Sequence, residues 1–229
     1  MRNRARWLAL GWLLAATLNN CSEPAHTIRR TFQVGEQWRY TLTLHATLRD
    51  ETDMLELAYT DTVQSVAPDG SAIAERALEA DPEVLKRLEA FTAPLGTLKR
   101  KSRWKLFPDG RETPLEQGGF FIGAFTYAYP DRPVRTGAQW GRVDGIGSLE
   151  VKYLCRFEGT ETADGTPCYK IHTAVEPMPD SLPQMQGEMT VYVDQARGWV
   201  RQIQGTLNMQ ASALAAKFQL QVRGAPVGE

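Results

Sequence analysis

Between Pro130 and Gly224 the chain consists of runs in which apolar and polar residues alternate, separated by turn residues. Side chains on a β-strand point to opposite faces with a period of two, so each run predicts a strand with one dry face and one wet face. The last run has its apolar residues at Leu214, Ala216, Phe218, Leu220 and Val222. Two earlier runs flank residues 194–198, where Gly198 can close a hairpin. This stretch therefore predicts the antiparallel half of one β-domain.

The N-terminal third predicts a second meander. Alternation runs from Trp38 to Leu48, and the next run ends at the turn 68–70 and pairs back through residues 71–80. The apolar face of that second run consists of Leu55, Leu57, Tyr59 and Val63. Asp81 then supplies a helix cap ahead of Pro82 at the first helical position. A helix ending near Pro94 is expected to lay its apolar stripe on the concave side of the sheet.

The first twenty residues have the layout of a secretory signal peptide. Arg2, Arg4 and Arg6 form a basic start, and residues 7–18 are uncharged and largely apolar. A run of this length is too short to span a bilayer as a helix. We therefore expect a signal peptide over 1–20, a tether over 21–30 and a single β-rich domain over 31–229.

The junction Leu18-Asn19-Asn20-Cys21-Ser22 resembles the signal-peptide end of bacterial lipoproteins. In that class the cysteine is diacylated and becomes the new N-terminus, so the resemblance implies lipidation at Cys21. Ser22 at the second position implies sorting to the periplasmic side of the outer membrane. The alternative is an ordinary signal peptidase that cuts nearby and removes Cys21 or leaves it unmodified.

Cys155 and Cys168 lie almost symmetrically about the centre of a predicted hairpin, whose loop is residues 159–165. Directly opposed residues on antiparallel strands are close enough for a disulfide, and such a bond would stabilise the fold by roughly 3 kcal/mol. The alternative is two reduced thiols packed as small apolar groups.

The charge balance gives no nucleic-acid footprint. Loss of the first twenty residues removes three arginines and no acid, which takes the formal net charge from -1 to about -4. The single basic cluster, residues 99–103, is expected to be a solvated strand end. No nucleic-acid partner is predicted.

Residues 114–130 carry the highest density of aromatic side chains in the chain. The candidate ligand-binding residues are Phe120, Phe121, Phe125 and Tyr127, which follow the paired glycines Gly118 and Gly119. The segment either seals one end of the core or forms a lid over an apolar cavity.

Three local patterns carry a family resemblance. Residues 35–40, 130–140 and 193–200 place turns and tryptophans as a group of bacterial envelope lipoproteins does. This group is similar in outline to the lipoprotein-carrier class, LolA/LolB-like half-barrels. The resemblance implies a mainly β fold: a single curved antiparallel sheet, with one or two short helices covering its concave face around an apolar cavity. Trp38 and Trp140 are expected to be core anchors near the sheet ends.

The sequence offers no recognisable catalytic chemistry. His26, His45 and His172 do not have metal-ligand spacing, and no nucleophile elbow, phosphate loop or dinucleotide fingerprint occurs. The acids Asp50, Glu51 and Asp53 are expected to be a solvated turn. We expect no enzyme activity, no metal and no cofactor.

Two functions fit these features. The first is binding of a lipid, or the acyl chain of another lipoprotein, in the half-barrel cavity of a membrane-anchored envelope protein. The second is a non-enzymatic structural or interaction module that binds an envelope protein through a sheet edge or the wet face. An enclosed apolar cavity of several hundred Å3 favours the first, and a filled core with an exposed apolar patch favours the second.

Overall fold

A computed structural model describes residues 23–48, 51–86, 99–116, 129–146, 149–179, 184–211 and 214–228. Eleven strands form one sheet in which every neighbouring pair is antiparallel. They are β1 (Gln37–Leu48), β2 (Glu51–Val66), β3 (Ala72–Glu79), β4 (Lys101–Leu106), β5 (Glu112–Pro114), β6 (Gln139–Ile146), β7 (Leu149–Ala163), β8 (Thr166–Pro177), β9 (Gln184–Asp194), β10 (Val200–Ala211) and β11 (Leu214–Pro226). The predicted mainly β, single-sheet architecture is confirmed.

The sheet order is β5-β4-β3-β2-β1-β11-β10-β9-β8-β7-β6. The chain therefore forms two meanders, β1 to β5 and β6 to β11, which join where the first strand pairs with the last. Trp38 on β1 lies opposite Pro226 on β11, and the register continues to Leu48 opposite Ala216. The edge strands are β5 and β6.

One face of this sheet forms the core. The inward positions alternate with outward ones, as the sequence predicts, and the fully buried rings include Trp38, Tyr153, Phe157 and Trp199. Trp38 stacks on Trp199 with ring centroids 5.3 Å apart. Trp140, the other expected anchor, is only partly buried against this core. A stacked aromatic pair at the start of β1 and β10 locks two strands that are not neighbours.

The sheet is strongly curled. Glu112 on β5 and Ile203 on β10 line the same small cavity, although six strand steps separate them. In a flat sheet these strands would lie about 29 Å apart. At one end the two edges also approach each other, because Arg142 on β6 donates from Nη1 to the carbonyl oxygen of Asp109, 3.3 Å away, between β4 and β5. The sheet is thus an open half-barrel.

Residues 26–31, here called the strap, cross that end of the half-barrel. His26 and Val134 exchange two backbone hydrogen bonds, the Arg30 amide donates to the Pro108 carbonyl, and the Thr31 amide donates to the Arg197 carbonyl. Ile28 and Arg30 are buried. Part of the segment 21–30, predicted to be a tether, therefore packs into the domain. We call this the strap end, and the opposite end, where β1, β3 and β10 finish, the far end.

The disulfide prediction rests on a register that is wrong. Cys155 lies opposite Thr173, and Cys168 lies opposite Glu161, so five residues, or about 16 Å, separate the two cysteines along β8. The reason is the two-residue turn 164–165, whose residues both have positive φ and let the strands pair right up to it. No disulfide joins these two cysteines in the described structure, and both are buried thiols. Burial raises the pKa of the Cys168 thiol to about 11.

The predicted helix begins as expected. Residues 82–86 are helical, Asp81 Oδ1 accepts the Glu83 amide at 2.9 Å, and Leu85 is buried. Its predicted end near Pro94 lies outside the described residues, so coverage of the concave face by helices is not confirmed. None of the helical residues within the described ranges belongs to a segment with the length and hydropathy of a membrane-spanning helix.

Candidate functional site

Four charged side chains meet inside the half-barrel near the strap end. Asp61 on β2 accepts two hydrogen bonds from Arg76 on β3, at 2.7 and 2.8 Å. Arg76 also donates to Glu112 on β5 at 2.9 Å, and Glu112 accepts Arg30 Nη1 from the strap at 2.7 Å. The charges alternate in sign along this ionic network, and the four together are neutral. The network links β2, β3 and β5 to the strap.

The Arg76 guanidinium lies between two aromatic rings. Its central carbon is 4.6 Å from the Tyr59 ring centroid and 4.7 Å from that of Trp104. The side chain is 1% exposed, and Nη1 finds no hydrogen-bond partner within the described structure. Its positive charge therefore depends on Asp61 and Glu112 instead of on water.

Arg30 is held by a second set of groups. Its guanidinium lies 5.3 Å from the Trp199 ring centroid and 5.9 Å from that of Tyr129. Arg30 Nε donates to the Tyr129 hydroxyl at 3.3 Å, and that hydroxyl donates in turn to the Gly198 carbonyl. A carboxylate, a hydroxyl and two aromatic rings thus surround one planar cation.

The two carboxylates of the network titrate differently. Burial raises the pKa of Glu112, but the positive charges of Arg76 and Arg30 lower it by a larger amount. The resulting pKa is about 2. Burial raises the pKa of Asp61 above its ordinary value, with Arg76 opposing that rise. Glu112 is thus the member of the network that holds its negative charge most firmly.

This difference predicts that the free energy of unfolding falls at acid pH because Glu112 becomes protonated. Because the pKa of Glu112 is lower in the folded chain, its contribution is complete above pH 4.5 and is lost as the pH falls towards 2. We expect the wild type to lose about 2 kcal/mol more unfolding free energy than Glu112→Gln between pH 6 and pH 3. Urea denaturation at both pH values measures this.

The control for that experiment is Glu75→Gln, which removes a surface carboxylate from β3, where Glu75 pairs with Lys101 at 3.1 Å. This variant should follow the wild type at both pH values. Parallel losses in the wild type and Glu112→Gln would show that Glu112 is not the titrating group.

A small cavity of about 10 Å3 borders the network. Its walls are Arg30, Tyr40, Tyr59, Glu112, Val200, Ile203 and Val222. This volume holds about one water molecule. Among the described residues, protein side chains therefore fill the space around the ionic network.

The inward residues of the far half are apolar. From β2 across to β9 they include Leu44, Leu57, Met185, Met189, Leu207 and Phe218, each buried to at least 93%. Leu55 and Met209 extend this face as partly buried side chains. Methionine and leucine side chains are flexible and adapt to irregular apolar shapes. The concave face thus carries the buried ionic network near the strap end and apolar side chains near the far end.

Most of the predicted site residues lie outside the described residues. These are the lipidation site Cys21 and the candidate ligand-binding residues Phe120, Phe121, Phe125 and Tyr127. Among the histidines, His26 packs between the rings of Phe157 and Tyr169, 5.4 Å from each. The structure shows no group of three metal-ligating side chains within the ranges it describes.

Sequence reasoning missed the ionic network. Its signal lay in the alternation itself, because Asp61 falls on the inward face between Tyr59 and Val63, and Arg76 falls between Ala74 and Leu78. Two opposite charges on the dry faces of neighbouring strands indicate a buried pair. Nothing in the local sequence marks Arg30 or Glu112 as its other members.

Comparisons with known proteins show distant likenesses of fold. No family model matches the chain, and no curated protein matches it. Three solved structures align with it over most of its length. An exported protein with a YmcC-like fold from Bacteroides fragilis is 13% identical, with 85% of this chain and 97% of that chain covered and a TM-score of 0.42.

The other two structures are more distant. An outer membrane lipoprotein-sorting protein domain from Vibrio parahaemolyticus is 11% identical, with 84% and 86% of the chains covered and a TM-score of 0.25. A DUF1329 family protein from Desulfovibrio piger is 9% identical, with 85% and 88% covered and a TM-score of 0.24. The half-barrel architecture that the sequence resemblance implies is supported by this chain's own sheet, which is curled and open.

Proposed function

We propose that this protein is a lipid-anchored bacterial envelope protein that binds a lipid or another hydrophobic ligand against the far half of its concave face. Acylation at Cys21, with palmitate among the chains, would hold it on the periplasmic side of the outer membrane. Phe120, Phe121, Phe125 and Tyr127 would contact the ligand. In this proposal the protein carries its ligand without transforming it.

The observation that carries the proposal is the apolar far half of the concave face. A single sheet has no second sheet to bury its inward side chains against. The six buried side chains of the far half are at most 7% exposed in the ligand-free chain, so a ligand would replace groups of the chain that already cover them. Met185, Met189 and Met209 supply flexible side chains that can pack against an acyl chain as well as against protein. The aromatic residues of 117–128 are the ligand-contacting candidates that the sequence provides.

The packing at the strap end indicates where a ligand would enter the half-barrel. The strap, the ionic network and the stacked tryptophans pack into that end, and the cavity that borders the network measures only about 10 Å3. A hydrophobic ligand would pay a large cost to displace four buried charges. The proposal therefore places ligand entry at the far end.

The test is native mass spectrometry, with lipid extraction, on the chain purified from a bacterial envelope. We expect a fatty acid or phospholipid at about one per chain, because an apolar face of this kind holds a single elongated ligand. The double variant Phe121→Asp, Phe125→Asp should lose the lipid. Circular dichroism confirms that the variant remains folded.

Met54→Asp provides the matched control. Met54 lies on the outer face of β2 and is 52% exposed, so the same apolar-to-acid change there should leave lipid binding intact. A lipid-free mass that takes up no lipid on challenge would overturn the proposal.

Two observations favour the alternative, a non-enzymatic structural or protein-interaction module. Within the described residues the cavity that borders the ionic network is about 10 Å3 and not several hundred Å3, and the outer face carries an exposed apolar patch. Val143 on the edge strand β6 and Leu154 on β7 expose apolar side chains on the outer face, 51% and 37% exposed. Gly141 lies opposite Leu154 and leaves it uncovered. If the lipid test is negative, crosslinking from position 143 in the envelope tests for a protein partner at this edge.

A further inference from the structure

The surroundings of Arg30 have the chemistry of a ligand site for a guanidinium group. Glu112 Oε1 accepts Nη1 at 2.7 Å, the Tyr129 hydroxyl accepts Nε at 3.3 Å, and the rings of Trp199 and Tyr129 face the cation. A planar fork with stacking faces suits a guanidinium far better than an ammonium ion. The bound group here belongs to the chain itself.

We propose that this is a guanidinium-binding site which the strap occupies in cis, so that Arg30 acts as a latch holding the strap across the half-barrel. The site is built entirely by the rest of the chain: Glu112 comes from β5, Trp199 from the turn before β10, and Tyr129 from the segment before β6. Arg30 is the only one of the four charges in the network that comes from outside the sheet.

The strap backbone is bonded to the rest of the chain at separate points only, so a buried side chain can decide whether the strap stays in place. The strap forms no continuous ladder with any of the described strands, and its backbone bonds go to Val134, Pro108 and Arg197 in three separate loops. Its buried residues, Ile28 and Arg30, alternate with exposed ones, Thr27, Arg29 and Thr31. Removing one partner of a buried ion pair leaves the other charge uncompensated, so Arg30 is the strap side chain whose truncation should loosen the strap most.

Removal of the Arg30 side chain would leave room for a separate guanidinium compound in its site. The 10 Å3 cavity borders Arg30, so truncation of the Arg30 side chain joins the vacated volume to that cavity. The walls of the enlarged site would be the carboxylate of Glu112 and the rings of Trp199, Tyr129 and Tyr59. A small guanidinium compound then fits where the side chain was.

Chemical rescue of Arg30→Ala in the full chain tests the proposal. We expect methylguanidinium to raise the melting temperature of this variant by about 4 °C at ten times its Kd. Methylammonium at the same concentration should raise it by less than about 1 °C, because it lacks the planar fork. The wild type, whose site is occupied, should respond to neither compound.

The double variant Arg30→Ala, Glu112→Gln should lose the rescue, since the carboxylate is gone. Equal responses to methylguanidinium and methylammonium, or a response in the wild type as large as in Arg30→Ala, would overturn the proposal. If Arg30→Ala is unfolded, refolding in methylguanidinium but not in methylammonium supports it.

Arg30→Lys gives an independent test that needs no added compound. Lysine keeps the positive charge but lacks the planar, forked guanidinium group. The melting temperature of Arg30→Lys should therefore lie nearer to that of Arg30→Ala than to that of the wild type. Wild-type stability for Arg30→Lys would show a site for any cation and would overturn the assignment to guanidinium. None of these measurements depends on lipid binding, so they are independent of the proposed function.

Discussion

Asp61→Asn is expected to lower the free energy of unfolding by about 3 kcal/mol or more, the typical cost of removing one partner of a buried ion pair. Asp61 and Arg76 are each 1% exposed, and their closest atoms are 2.7 Å apart. Once the carboxylate is neutral, Arg76 keeps its charge between two aromatic rings where water cannot solvate it. Urea denaturation measures the loss.

Glu79→Gln is the matched control for this prediction. Glu79 pairs with Arg39 on the outer face at the same 2.7 Å, but these side chains are 50% and 49% exposed. Solvent-exposed pairs contribute about 0 to 1 kcal/mol, so the control should remain within that range of the wild type. Equal losses in the two variants would mean that burial does not set the strength of the Asp61 pair.

Replacing both Asp61 and Arg76 separates two quantities: the destabilisation caused by an unpaired buried charge, and the net contribution of the ion pair to the free energy of unfolding. The double variant Asp61→Leu, Arg76→Met should recover much of the stability that Asp61→Asn loses, because no buried charge then lacks a partner. A double variant less stable than Asp61→Asn would instead indicate that the network stabilises the fold outright.

Gly198→Ala is expected to cost about 3 kcal/mol and to loosen the strap. Gly198 has a φ of +70°, and a Cβ there would overlap the carbonyl group of Arg29. The strap backbone must move to admit a methyl group, and that movement removes Arg30 from its site. Denaturation measures the stability, and hydrogen exchange of the peptide 23–33 measures the loosening.

Gly165→Ala controls for backbone conformation alone. Gly165 has a φ of +79° in the turn between β7 and β8, but a Cβ there meets no atom within 4 Å. It should therefore cost about 1 kcal/mol and leave exchange in the strap unchanged. Unchanged strap exchange in Gly198→Ala as well would contradict the close packing of the strap on that turn.

The sheet could be predicted because alternation is a local property of the sequence. The predicted run from Trp38 to Leu48 is β1 apart from one residue at its start, and the predicted run 71–80 contains β3. The hairpin at 194–198 is confirmed by the bond from the Gly198 amide to the Asp194 carbonyl at 2.9 Å. These features depend on neighbours close in sequence, so the sequence alone suffices.

The network and the strap could not be predicted in the same way. Arg30 and Glu112 are 82 residues apart, and only the curl of the sheet brings them to 2.7 Å. The cysteine pairing failed for a related reason: the turn 164–165 places the hairpin centre three residues beyond the midpoint between the two cysteines. Register and long-range contacts depend on turn geometry and curvature, which alternation does not encode.

The pairing of β1 with β11 sets an order of events for the nascent chain. These strands are joined along eleven opposed residue pairs, although they lie at opposite ends of the sequence. Until β11 has been synthesised, β1 presents a long edge of open backbone donors and acceptors to any other strand it meets. Contacts between such distant segments form slowly, so each newly made chain passes through a period in which a holding chaperone would protect it from aggregation.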